Sequence, residues 1–536
     1  MSTTRRAFAA CSERSLAPLS APTSIIVAGV AARPAAFARR ARAAAIAASA
    51  GIVAFSAAGT ARAQGNYRLA PVGGRTTLVG GTGLAYGHDG ASAFLNPATA
   101  VRIDDARLSF SVNFYTMTFM FAPAWYRAGG VDPARFGQLD VGSASTSDFE
   151  FNVLPSSLCF FFRIGDVPWL AGRASEETRL RAARLGLCFA SVQSHTFNFA
   201  ADQYSHASAA GVTRQAQSVT QSFTRFAAGP TYAMNITDEL AFGASLHGSI
   251  ASHRSLFSAA ATSYGSTPEA VQSTFYNGAR GDSVQLTATA GMTLRLGRTT
   301  IAAALESPSV HVYGVGAVNR ATHFEGSGQG TSTTAATGSF ISRTPLRIAL
   351  GAGIERQWGS VEVNASYHAP LGTAYSAELE GRQIDRTGAA VTDLPAKLTL
   401  AQRARGVFNV GIGGEVFVLP KVSLLGGAST DISAVSDGSF RGTLMNYYAS
   451  RTHRVAGSFG IGSHGDGGDL LFGGEASFGW GERLAVSSYQ LPPDIATTTH
   501  GTWQILFVIA GSTSLKSITR AVRDVKELTE DTTKSK

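Results

Sequence analysis

Ser283–Gly297 reads SVQLTATAGMTLRLG, and its strict alternation decides the fold. Val284, Leu286, Ala288, Ala290, Met292, Leu294 and Leu296 fall on one face, and Gln285, Thr287, Thr289, Gly291, Thr293 and Arg295 on the other. A period of two belongs to a strand with unlike environments on its two sides. The tight link Gly297–Thr299 follows, and the pattern resumes. Leu346–Ile354 repeats it with Leu346, Ile348, Leu350, Ala352 and Ile354. Val361–Ala369 sets Val361, Val363, Ala365 and Tyr367 against Glu362, Asn364, Ser366 and His368.

Moving outward from these segments, the links Ile236–Asp238, Gly297–Thr299, Trp358–Gly359, Leu419–Pro420 and the Gly-rich turn His464–Asp469 alternate with long polar stretches. Short turns on one side and long loops on the other are the rhythm of a barrel threaded through a membrane. The apolar face then meets lipid and the polar face the lumen. Counting such segments predicts strands near 106–121, 152–164, 183–199, 217–235, 239–256, 282–296, 299–314, 338–356, 360–380, 402–418, 421–434, 447–463, 469–487 and 499–514. That is an all-β, fourteen-stranded antiparallel transmembrane β-barrel over 106–515, with an even strand number as bacterial single-chain barrels require. The segments exceed the roughly 9–11 residues that span a bilayer, so the barrel is expected to project outward. The connections at about 257–281 and 315–337 read as long outer loops, and a loop with Trp125, Tyr126 and Phe136 is the more aromatic one. Gly165–Ala182 is a long link on the short-turn side with a helical stretch at Ser175–Arg184, and 516–536 reads as a periplasmic helical tail with Ile518, Val522, Val525 and Leu528 on one face.

Composition agrees. A mean hydropathy of +0.07 with 15% charged residues excludes a bundle of membrane helices. Residues 1–63 read as a signal peptide, possessing Arg39, Arg40 and Arg42, the apolar stretch Ala43–Gly59 and the small-x-small site Ala61-Arg62-Ala63; its first 38 residues are long enough to point to a start codon further in. Thr4-Arg5-Arg6-Ala7-Phe8 has a twin-arginine look but lies far from the apolar stretch. The leader holds eight Arg and a single Glu, so all but about +2 of the formal +9 leaves with it. The basic balance therefore gives no reason to expect a nucleic-acid partner.

Cys159 and Cys188 remain after the leader is removed, and a register that sets Leu158 opposite Phe189 also sets the two cysteines opposite each other. A cross-strand disulfide and a pair of packed thiols both fit an oxidising compartment. No Cys/His cluster has metal-ligand spacing, and no cofactor is expected. His464–Asp469 (HGDGGD) lacks the downstream Glu of a calcium loop and reads as a turn. Gly326–Thr331 (GSGQGT) lacks the Lys of a phosphate loop, and no nucleophile motif marks an enzyme.

Residues 64–105 are neither strand nor polar linker. They contain Gly80-Gly81-Thr82-Gly83-Leu84-Ala85-Tyr86, then Asp89-Gly90-Ala91-Ser92-Ala93-Phe94-Leu95-Asn96-Pro97-Ala98. Small residues permit close backbone approach and Asn-Pro ends what precedes it, as suits a compact plug. Here the chain resembles the FadL/TodX family of outer-membrane transporters of long-chain fatty acids and hydrocarbons, whose N-terminal hatch carries a G-x-A-Y … D-x-A-S/G … N-P-A pattern. The matching residues are Gly83, Ala85 and Tyr86, then Asp89, Ala91 and Ser92, then Asn96, Pro97 and Ala98. Weaker echoes are Phe226–Ile236 and Leu305-Glu306-Ser307-Pro308.

The resemblance implies a hatch inside the barrel at 64–105 and passive uptake of hydrophobic small molecules across a Gram-negative outer membrane by a monomer, with exit through a lateral opening. Departing from the family's greasy capture groove, 257–281 and 315–337 are rich in Ser, Thr, Ala and Gly. By alternation Arg295, Arg347, Glu306, Glu355, Glu362, Glu415 and Glu475 point inward, where they are expected to satisfy one another and pin the hatch. Arg295 and Arg347 are the candidates for a ligand carboxylate. The alternatives are a porin for small polar solutes and an outer-membrane lipid-acting enzyme.

Overall fold

The computed structural model describes residues 66–67, 72–87, 89–103, 106–122, 144–151, 156–164, 183–206, 212–264, 271–325, 330–435, 451–465, 467–488 and 494–514. The signal peptide, the whole 165–182 link, the loop of Trp125, Tyr126 and Phe136 and the 516–536 tail lie outside these residues.

Nineteen strand segments form one antiparallel sheet. Where two segments follow one another along the same neighbour they make one broken strand, which leaves fourteen. In chain order these are β1 (Arg107–Ala122), β2 (Ala144–Phe151 and Ser157–Arg163), β3 (Arg184–His206), β4 (Val212–Asn235), β5 (Leu240–Tyr264), β6 (Val271–Leu296) and β7 (Thr299–Glu306 and Val310–Glu325). Then come β8 (Gly330–Ser342 and Arg347–Arg356), β9 (Gly359–His368 and Leu371–Thr387), β10 (Ala390–Ala404 and Val407–Leu419), β11 (Val422–Asp431), β12 (Arg451–Gly465), β13 (Gly468–Ser488) and β14 (Asp494–Ser514). Each pairs with its sequence neighbour, and β1 pairs with β14 from Arg107↔Ser514 to Phe121↔Gly501, so the barrel closes without a free edge.

The alternation works as read. On β6, Gln285, Thr289, Gly291 and Thr293 are buried inside while Leu286, Met292 and Leu296 are exposed outside. Ile301, Leu305, Ile348, Leu350, Ile354, Val363, Phe408, Ile412, Phe459 and Phe472 continue this outer apolar band. The five tight links all fall at one end; at Gly297, φ +64° is a backbone state that favours glycine.

At the other end the strands run further than expected. The stretches read as loops at 257–281 and 315–337 are largely strand: β5 continues to Tyr264, β6 starts at Val271, and Val310–Glu325 pairs with Gly330–Ser342. A hairpin joins Leu371–Thr387 to Ala390–Ala404 through a turn with Gly388 at φ +58°. Their Ser, Thr, Gly and Ala content reads as loop because no apolar face is needed above the bilayer. Exposed pairs decorate this part instead, among them Arg382–Asp393 at 2.6 Å and Lys397–Glu380 at 3.2 Å. β7, β8 and β9 break at Pro308, Pro345 and Pro370, residues with no N–H for the ladder. Neighbouring donors find other acceptors, as Ser309 N–H does at Thr344 O (3.1 Å).

Candidate functional site

Residues 72–103 fill the lower lumen. Two short helices, α1 (Gly74–Leu78) and α2 (Ser92–Leu95), and the 3₁₀ turn Pro97–Arg102 are buried together. Such short helices leave most of their backbone groups unpaired, and the barrel wall supplies the missing partners. Glu362 serves three of the donors. Its Oε1 accepts from the backbone of Gly83 (2.9 Å) and Leu84 (2.7 Å), and its Oε2 from Tyr86 (3.1 Å). Arg347 serves the acceptors, donating to Phe94 O at 2.8 Å and Leu95 O at 3.3 Å, while its Nε meets Glu306 at 2.9 Å. Asn364 donates to Gly81 O (3.1 Å) and Arg184 to Ile103 O (2.6 Å).

One buried ion pair runs the other way, from plug to wall: Arg75 lies 2.8 Å from Glu415, and both side chains are more than nine-tenths buried. Glu415 also faces His464 at 3.1 Å; His464 meets Asp469 at 3.1 Å, and Asp469 meets Arg107 at 2.9 Å. His464 and Asp469 are thus partners across the Gly-rich turn. The chain of charges ties α1 to β10, β12, β13 and β1.

The motif residues sit within this assembly. Asp89 accepts from Thr76 N (3.3 Å) and Ala91 N (3.0 Å), closing the plug on itself. Asn96 donates to Leu84 O (2.7 Å) and to Met292 O on β6 (3.3 Å), and its Oδ1 takes Ala98 N at 3.2 Å just past Pro97. The Tyr86 hydroxyl donates to Arg298 O (3.4 Å), and Arg102 stacks over its ring at 4.7 Å while pairing with Glu355 at 3.3 Å. Gly83 holds φ +138°; Ala85, Ala91, Ser92 and Ala98 are wholly buried. Where the plug presses on the wall, the wall has glycine. A Cβ at Gly291 would lie 1.9 Å from Asn96 Oδ1, at Gly353 2.3 Å from the Tyr86 ring, and at Gly413 2.0 Å from Val79 O.

Above the plug lies a small, partly open chamber. Phe94 stacks on His247 at its floor and Tyr67 on His368 at its side, with ring centroids 4.4 and 4.9 Å apart. Asn66 donates to Asp431 O (2.9 Å) and Thr452 O (3.0 Å) and accepts from Gln193 (2.9 Å), which carries the chain before the plug across the lumen. Burial raises the Tyr67 phenol pKa, keeping it neutral. Arg225, Glu306, Arg347, Ser249, Thr287 and Thr289 also line the chamber. Over it Phe223, His253, Phe340 and Tyr375 meet one another from four strands.

Of the two arginines singled out from sequence, Arg347 reaches this chamber, while Arg295 is exposed at the turn end and donates to Asp238 O at 3.1 Å. Among the other inward charges, Glu362 and Glu415 contact the plug, Glu306 supports Arg347, Glu475 is buried, and Glu355 lies at the rim, more than half exposed. Sequence reading missed Arg75 and Arg225. Arg75 is the one basic residue of α1; Arg225 shares the inner face of β4 with Gln221, Phe223 and Ala227, where polar and apolar residues occur on both faces and no side stands out. Cys159 and Cys188 stand opposite each other on β2 and β3, Cα atoms 4.2 Å apart and sulfurs in contact.

No family model matches the sequence, and no curated protein does. Among solved structures the chain is similar to a Pseudomonas aeruginosa FadL homologue (13% identity, 85% of this chain and 100% of that one, TM-score 0.47). It is similar also to the Ralstonia pickettii toluene transporter TbuX (14%, 84% and 99%, 0.46) and the Pseudomonas putida toluene transporter TodX (12%, 83% and 99%, 0.48).

Proposed function

We propose that this protein is a plug-gated channel of the Gram-negative outer membrane that passes long-chain fatty acids or similar hydrophobic small molecules without energy input. The observation that carries the reading is the plug itself: a polar lumen filled from within and held by the buried Arg75–Glu415 pair and by Glu362. An open porin has no use for such a filling. A closed barrel with a chamber above the plug suits cargo that enters from outside, rests, and leaves when the plug shifts or by a path around it. Burying each CH₂ of such cargo contributes about 0.8 kcal/mol, which favours a walled route over an aqueous one. The hatch motif and the toluene and FadL-type channels to which the fold is similar support the same reading. The charged and hydroxyl side chains among the chamber lining, Arg225, Glu306, Arg347 and Thr289, favour a second reading, a pore for small polar solutes.

Uptake of labelled long-chain fatty acid, by cells whose own outer-membrane fatty-acid transporter is deleted and which express this chain, separates the two. Restored uptake that is lost on replacing Asn96 and Pro97 supports the channel for hydrophobic cargo. Uptake of small sugars without fatty-acid uptake, in cells with a folded barrel, supports the polar pore.

A further inference from the structure

We propose that the chamber above the plug is an anion site centred on Arg225, and that its cargo is a compact monocarboxylate with an apolar body. The assignment rests on the channel reading and narrows its substrate class. Arg225 is 3% exposed and faces no carboxylate at hydrogen-bond distance. Its Nη1 donates to the amide oxygen of Gln193 and its Nη2 to Ser342 Oγ at 2.9 Å, while its Nε makes no hydrogen bond. The guanidinium lies over the Phe223 ring, 5.4 Å from its centroid, which offers only a weak counter-charge. A buried charge without an ionic partner is costly, and an arriving carboxylate relieves that cost through a fork-shaped, charge-assisted contact.

The rest of the lining agrees. Arg347 pairs with Glu306, which leaves Arg225 without a carboxylate at hydrogen-bond distance. Ser249, Thr287, Thr289 and Thr344 offer hydroxyls to the polar end of a ligand. Apolar surface comes from Phe94, Val192, Ala227 and Pro345, enough for a ring or a short chain. The chamber is also small.

The test is equilibrium binding of labelled benzoate and labelled toluene to the full-length protein in lipid nanodiscs, with empty discs as blank. Benzoate should bind more tightly than toluene. Arg225→Gln should weaken benzoate by at least about tenfold and leave toluene unchanged, whereas Arg225→Lys should restore much of the affinity. Toluene binding as tight as benzoate, or benzoate binding indifferent to Arg225→Gln in a barrel with wild-type heat-dependent gel mobility, overturns the assignment. If Arg225→Gln does not fold, the wild-type benzoate-to-toluene preference and the Arg225→Lys value decide. Fatty-acid uptake that persists in the Arg225 variants would overturn this site while leaving the channel reading in place. Loss of the channel reading would instead appear as uptake of neither labelled benzoate nor labelled fatty acid by the wild type.

Discussion

At the level of Gly291, Gly353 and Gly413 the inner wall is pared back to glycine where the plug presses on it; at the level of Phe223, His253, Phe340 and Tyr375 the wall meets itself across the lumen. The two levels share the same alternating strands, but their interiors are filled differently. Below, glycines make room and Glu362, Glu415 and Arg347 reach for backbone or charge on a separate segment. Above, aromatic side chains pack like an ordinary core. A filling held by a few polar ties can be released without dismantling the barrel, whereas a filling made of wall side chains cannot. On the proposed reading, gating therefore belongs to the lower level and shape to the upper.

The sharpest way to break this contrast is Arg75→Ala. It leaves Glu415 buried without its plug partner, at a cost of about 3–5 kcal/mol. That cost should fall on plug docking: leak of small sugars in liposome swelling should rise at least tenfold, with the heat-dependent gel mobility of the barrel retained. Phe340→Ala should do the opposite. It removes a fully buried ring from the upper layer, about 3–5 kcal/mol, and should lower the urea midpoint of the barrel while sugar leak stays near wild type. At the lower level, the cysteines of β2 and β3 are expected to be bonded: alkylation before reduction should leave both unlabelled, and a Cys159→Ser/Cys188→Ser variant should lose about 2–4 kcal/mol in urea unfolding. The smallest effect tests the glycine contact itself. Gly353→Ala drives a Cβ toward the Tyr86 ring and should cost about 1–3 kcal/mol of docking, seen as increased leak. Gly457→Ala meets nothing within 4 Å and should leave leak unchanged.

The lower barrel was the more legible part in sequence. Strict alternation from Ser283 to Gly297 and the five tight links place all fourteen strands, because lipid outside and water or plug inside force opposite residue types onto the two faces. Above the bilayer that demand vanishes, and Ser- and Thr-rich strands such as Gly330–Ser342 look like loop. The register that sets Cys159 against Cys188 was readable for the same reason as the strands. Arg225 was not, since the inner face of β4 mixes Gln221, Phe223 and Arg225. Inward direction alone did not separate Glu362, which holds three plug amides, from Glu355 at the rim: height along the barrel decides, and height depends on where the plug rests.

If residues 72–103 close the lumen, ionic conductance across a planar bilayer will register it. The wild-type barrel should show no steady conductance, and a variant lacking 72–103, folded by gel mobility, should show a steady open channel. Equal conductance in the two would contradict the account.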